Sequence, residues 1–126
     1  MPQVQAQPAA IVREMLEGLF RDGVAALDGH PGMSDLQKLF PTIKQAIPDI
    51  SVELRKQLVE GDQVASYWIL RGTHEGSLFG VKGTGRPVEF QNVSIAQVAD
   101  GKVVQYNSET GWLAFLMQVG ALPKPQ

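Results

Sequence analysis

The sequence predicts one α+β domain in which helices pack on one face of a curved antiparallel sheet. Three observations carry this reading. Apolar residues recur at helical spacing as far as Ile47 and at alternating spacing after Asp49. Asp100-Gly101 separates two alternating runs, which is a strong hairpin signal. The segment from Trp112 to Val119 then returns to helical spacing, with Trp112, Phe115, Leu116 and Val119 at i, i+3, i+4 and i+7.

Residues 1–8 read as a flexible leader, since they lack the basic and apolar regions of a signal peptide. Residues 9–123 form the expected single domain, and residues 124–126 a loose tail. The first helix is expected from Ala9 to about Leu27, weakened by Gly18 and Gly23. Gly29-His30-Pro31-Gly32 breaks the chain. Ser34-Asp35-Leu36-Gln37 has capping-box spacing and opens a second helix with Leu36, Leu39, Ile43 and Ile47 on its apolar stripe. Pro41 is expected to kink or split that helix, and Pro48 to end it.

Four strands follow: one marked by Val52, Leu54 and Leu58, then Val64 to Thr73, Val88 to Val98, and Val103 to about Thr110. Counting outward from Asp100-Gly101 sets Ile95 opposite Tyr106 and Val93 opposite Ser108. That count places Val93, Ile95, Val104, Tyr106 and Ser108 on one face, taken as concave. Phe90, Asn92, Ser94, Asn107 and Glu109 fall on the other. Around Glu60-Gly61-Asp62 a two-residue turn and a three-residue loop are both open. The three-residue loop is preferred because it groups Leu54, Leu58, Val64, Trp68 and Leu70. His74 then shares the parity of Trp68 and Leu70.

Composition narrows the function. The chain has 126 residues, 44% apolar and 19% charged, which suits one globular domain with a real core. Its formal net charge of -2 gives no support for nucleic-acid binding, which needs a basic face. With no cysteine, thiolate catalysis and cysteine-ligated zinc are excluded. No apolar run approaches the roughly 20 residues that cross a bilayer, so no membrane partner is expected. A cytoplasmic setting fits these features.

Several stretches together resemble one family. They are Gly61-Asp62 leading into a strand with Trp68, Gly72-Thr73-His74, Thr84-Gly85-Arg86, Asp100-Gly101-Lys102-Val103-Val104, and the terminal helix ending in Gly120-Ala121-Leu122-Pro123. They are similar to the SnoaL-like polyketide cyclase group of the NTF2-like superfamily. The resemblance implies an NTF2-like (cystatin-like) cone, somewhat shortened in its N-terminal helical part. It also implies a homo-oligomer that binds a hydrophobic small molecule without cofactor or metal. In the cyclases a pocket carboxylate serves as acid and base while a ketone-bearing substrate closes a ring. Relatives carry out hydroxylation, epoxide opening, isomerisation or dehydration in the same cone.

The sequence departs from that pattern where the chemistry is expected. The cyclases usually carry Glu-His-Trp-Asp after Gly-Lys-(Ile/Val)-Val, whereas this chain reads Gln105-Tyr106-Asn107-Ser108. Ser108 stands at the catalytic Asp position, and a hydroxyl does not replace a carboxylate as base at neutral pH. The reading of first choice is an enzyme of cyclisation, isomerisation or dehydration. The alternative is a non-catalytic binding or assembly protein on the same cone.

Candidate catalytic residues are His74, Tyr106 and Ser108. His74 is read either as a general acid/base or as a strand-end residue holding a loop carbonyl. Tyr106 and Ser108 are read as donors to a substrate oxygen, or as packing residues. Trp68, Leu70, Val93, Ile95, Tyr106, Trp112, Phe115 and Leu116 are the expected substrate-binding set. Glu109 points away from the cone unless a bulge shifts its strand. His30 lies in a loop that would reach the pocket mouth. With two histidines and no flanking carboxylates, no metal site is expected. A homodimer is expected through the convex sheet face, with Phe90, Ala96, Val98 and Val103 at the contact.

Overall fold

In the computed structural model, residues 7–122 are described. The expected tail lies outside them, as does the leader up to residue 6; Gln7 and Pro8 already belong to the first helix. That helix, α1 (Gln7–Asp22), buries Val12, Met15, Leu16 and Leu19 at i, i+3, i+4 and i+7. Burial of a side chain such as Leu19 stabilises the fold by about 1.5–3 kcal/mol.

Helix α1 stops earlier than the periodicity suggests. Gly23 takes φ 101°, so Val24–Leu27 forms a separate 3₁₀ turn rather than a continuation. A second 3₁₀ turn, Pro31–Met33, leads into α2 (Ser34–Ala46). The expected capping box does not form: Ser34 is the first helical residue, and Met33 precedes it without a side-chain cap. Helix α2 is not split at Pro41, which lies inside it with its ring exposed.

The sheet runs β1 (Ser51–Glu60), β2 (Gln63–Thr73), β3 (Pro87–Ala99) and β4 (Lys102–Thr110), all neighbours antiparallel in chain order. A short helix, α3 (Trp112–Gln118), closes the chain. Helices and sheet enclose two apolar clusters. One joins α1 and the 3₁₀ turns to Val64, Trp68, Ala96 and Val103. The other joins Ile43 and Ile47 to Phe90, Phe115 and Val119.

Two bulges decide which residues face inward. Ala99 pairs with Lys102 across Asp100-Gly101, and both turn residues have positive φ, as a two-residue hairpin requires. Val98 then pairs with Val103, but Gln97 pairs with Gln105, so Val104 is an extra residue. Tyr106 therefore stands opposite Ala96, and Ser108 opposite Ser94. This corrects the expected register by one residue. Val93 and Ile95 lie on the convex face, 46% and 51% exposed. Phe90, Ser94, Ala96, Val98 and Val103 are buried on the helix side.

The second bulge is in β1. Leu54 pairs with Trp68 but Lys56 pairs with Tyr67, leaving Arg55 extra. The turn before β2 has two residues, because Glu60 pairs with Gln63. Leu54 keeps its place with Trp68 through the bulge. Leu58 instead pairs with Ala65 on the convex face and is 60% exposed.

Candidate functional site

The concave side holds an apolar cavity between the helices and the sheet. Leu16 and Phe20 of α1 form one wall, and Leu36, Leu39, Phe40 and Ile43 of α2 form another. Phe20 and Phe40 lock the two helices edge to face, their rings 5.3 Å apart. Val52, Trp68 and Leu70 supply the apolar part of the sheet floor, and Trp112 of α3 closes the end. The volume is about 90 Å³. That is less than the roughly 150 Å³ of an engineered cavity known to hold benzene.

One polar strip crosses this floor: Asn92, Tyr106, Ser108 and Thr110. Asn92 Nδ2 donates to Thr110 Oγ1 at 2.9 Å, tying β3 to β4. Burial pushes the Tyr106 phenol above its ordinary range, while the Ser94 and Ser108 hydroxyls pull the other way. Tyr106 is thus a neutral donor at physiological pH. No Asp, Glu, His, Lys or Arg lines the cavity among the described residues.

His74 does not line the cavity. It is fully buried behind the floor, where its ring meets Phe115 edge to face at 5.2 Å. Its Nδ1 is 3.0 Å from Thr84 Oγ1, and its backbone brackets the same loop, N–H to Arg86 and carbonyl to Gly85. These bonds fasten the segment between β2 and β3. Its shared parity with Trp68 is as expected, but the strand ends at Thr73 and His74 passes beneath the aromatic cluster instead of into the cone.

The other expected residues divide. Trp68, Leu70, Tyr106, Ser108 and Trp112 line the cavity. Phe115 and Leu116 belong to the cluster behind Trp112. Val93 and Ile95 face the opposite way for the reason of register given above. Glu109 pairs with Val93 on the convex face; the bulge falls at Val104, too early to turn Glu109 inward without turning Tyr106 outward. His30 sits beside β4, its Nδ1 accepting the Val103 N–H at 2.9 Å. Burial, and then the charge of Lys102, hold His30 below the usual imidazole range. Asn92 and Thr110 were not singled out by sequence reasoning. The α2 stripe that supplies one wall was legible, though not as a cavity wall.

Helices laid over a curved antiparallel sheet, with an apolar cavity between them, make up an NTF2-like cone. The profile of the SnoaL-like polyketide cyclases matches residues 4–119, and the chain belongs to that family. Three solved structures are similar to it. AclR, a candidate hydroxylase from Streptomyces galilaeus, is 27% identical with a TM-score of 0.87, over 97% of this chain and 86% of that one. TsrD from Streptomyces laurentii is 21% identical with a TM-score of 0.83, over 94% and 98%. A candidate SnoaL-like polyketide cyclase from Jannaschia sp. CCS1 is 22% identical with a TM-score of 0.81, over 95% and 96%. No functionally curated protein matches the chain. Among the described residues, no helix is long and apolar enough to cross a membrane.

Proposed function

We propose that the protein is an enzyme acting on a neutral, hydrophobic, ketone-bearing metabolite by cyclisation, isomerisation or dehydration, without a cofactor. The observation that carries this is the cavity itself: apolar walls around a polar strip in which Tyr106 is kept as a neutral donor. Tyr106 donates to the substrate carbonyl and stabilises the charge that develops on its oxygen during enolisation. Ser108 is the adjoining donor. The proton leaving carbon passes to water or to an oxygen of the substrate itself, because the described lining offers no base that is active near neutral pH.

That same lack favours a second reading, a binding protein without turnover. Acetophenone in D₂O separates the two. Deuterium entering its methyl group faster with protein than in buffer supports the enzyme. Binding without faster exchange supports the carrier, and no binding at millimolar concentration removes both.

The convex face supports a homodimer. Leu58, Ala65 and Ile95 form one cross-strand row, and Tyr67 and Val93 form the next. Around this apolar centre lie Gln97, Gln105, Asn107 and the linked charges Glu53, Arg71 and Glu89. An apolar patch with a polar rim suits a contact between two copies of the chain.

A further inference from the structure

Three buried polar side-chain atoms lack a hydrogen-bond partner among the described residues: Trp68 Nε1, His74 Nε2 and Ser94 Oγ. A buried donor left unpaired ordinarily costs stability, so such atoms are few in native proteins. Only Trp68 belongs to a residue that lines the cavity. The His74 ring meets Phe115 in the aromatic cluster behind the floor, and Ser94 Oγ has the Tyr106 hydroxyl beside it, though no hydrogen bond of good geometry joins the two.

Trp68 is 1% exposed and is the largest fully buried side chain. Its cross-strand neighbours on the floor are satisfied without it, since Asn92 donates to Thr110. A phenylalanine would fill most of the same space with no polar atom to satisfy. The indole therefore brings one chemical property to the cavity wall, a hydrogen-bond donor. Indole has no acceptor, so its partner must be an acceptor atom.

We propose that the Trp68 indole N–H anchors an acceptor oxygen of the cavity's ligand, making Trp68 a specificity-determining residue for carbonyl- or ether-bearing molecules over hydrocarbons of the same shape. This deepens the function proposed above and rests on the cavity being the ligand site. Trp68 on β2 and Tyr106 on β4 are separated by β3, so each takes its own ligand oxygen. A molecule with two separated oxygens is then held at both ends.

The test compares para-methoxyacetophenone with para-ethylacetophenone, which keeps the carbonyl for Tyr106 and replaces the ether oxygen by a methylene. In the ¹⁵N-labelled wild-type protein, the chain's two tryptophans give two indole N–H signals, assigned with Trp112→Phe. The methoxy compound should move the Trp68 signal downfield and the ethyl compound should not. Trp68→Phe should weaken binding of the methoxy compound about 10-fold, the scale of one hydrogen bond, and change binding of the ethyl compound less than about threefold. If the wild-type Trp68 signal ignores the methoxy compound while it binds, the indole is satisfied by water and the donor role is overturned, with the cavity reading intact. If neither molecule binds the wild-type protein, both readings fall. The wild-type spectra decide the matter even if Trp68→Phe does not fold.

Discussion

Ala96 stands directly across from Tyr106. That pairing places a small side chain beneath the phenol and leaves room for the ring to extend over the cavity floor. It exists because Val104 is skipped in the ladder. The same skip brings Tyr106 and Ser108 to the side of Ala96 and Ser94, while Val93 and Ile95 face outward.

The outward turn predicts the assembly. Ile95→Lys places a charge at the centre of the proposed contact, on a side chain already 51% exposed in the single chain. The fold should tolerate it, with a stability change within about 0.5 kcal/mol, as for most surface substitutions. Light scattering should show wild-type protein at twice 13.7 kDa and the variant at 13.7 kDa. Wild-type protein at the single mass at micromolar concentration would exclude a stable dimer.

Tyr106→Phe should leave the melting temperature nearly unchanged and slow exchange into acetophenone about 10-fold, one hydrogen bond's worth of about 1.4 kcal/mol. The phenol's folded pKa is raised, so the neutral donor persists to higher pH than in free tyrosine. Exchange above the buffer rate should stay level through about pH 10, the free-tyrosine value, and fade only above it. The stability linked to this group is fully present below the unfolded value and is lost as pH rises through the folded one.

Ser108→Asp introduces a carboxylate on the cavity floor. Because Ser108 lines the cavity, the new group can take a proton from carbon. Exchange should rise, by about 10²-fold if the geometry suits general-base catalysis. An unchanged rate in a folded variant would mean that bound ketones do not reach this end of the floor.

His30→Asn tests the bond to Val103. Burial and the charge of Lys102 lower the folded pKa of His30. Its stability contribution is therefore present above the unfolded value near 6.5 and is lost as pH falls below it. Asn keeps an acceptor near Nδ1 but does not titrate. The decline in melting temperature between pH 7 and 5 should be shallower in the variant. His30→Ala, which leaves the buried Val103 N–H without its partner, should cost about 1–3 kcal/mol at pH 7 and above, and less as the wild-type imidazole protonates. Equal slopes for wild type and His30→Asn would remove His30 as the source of acid sensitivity.

His74→Ala should act on the fold. Removing a fully buried ring from beside Phe115 and Thr84 should cost about 2–4 kcal/mol, the range for large-to-small core changes. Exchange per folded molecule should stay within about threefold of wild type, far from a lost general acid. A fall of about 10²-fold with an unchanged melting curve would instead make His74 a proton-transfer group.

The sequence made the element order legible because periods of 3.6 and 2 follow directly from helix and strand geometry. The Asp100-Gly101 turn was equally legible, since both positions need positive φ. The bulges at Arg55 and Val104 were not. Neither residue type marks a bulge, yet each reverses the facing of everything beyond it, and so the inward set on β3 came out inverted. The expected lining was affected at the same points: Trp68, Leu70, Tyr106, Ser108 and Trp112 lie along the cavity, while Asn92 was assigned to the wrong side and Val93 and Ile95 took its place. The position of His74 was lost differently. Strand parity gave its side, but not the aromatic cluster that covers it.

The Pro31–Met33 turn has a further effect on how these molecules meet one another. Strand β4 is an outer strand, and such strands offer free N–H and carbonyl groups to any passing extended chain. Here His30 occupies the Val103 N–H. Gly32 lies so close that a Cβ on it would stand 2.7 Å from the Gln105 nitrogen. The opposite border, β1, is interrupted at Arg55 and carries Glu53, Lys56 and Glu60. One margin is stoppered and the other is irregular and charged, so the sheet resists growing sideways into fibres. That leaves the broad face as the surface through which copies can associate without running on indefinitely.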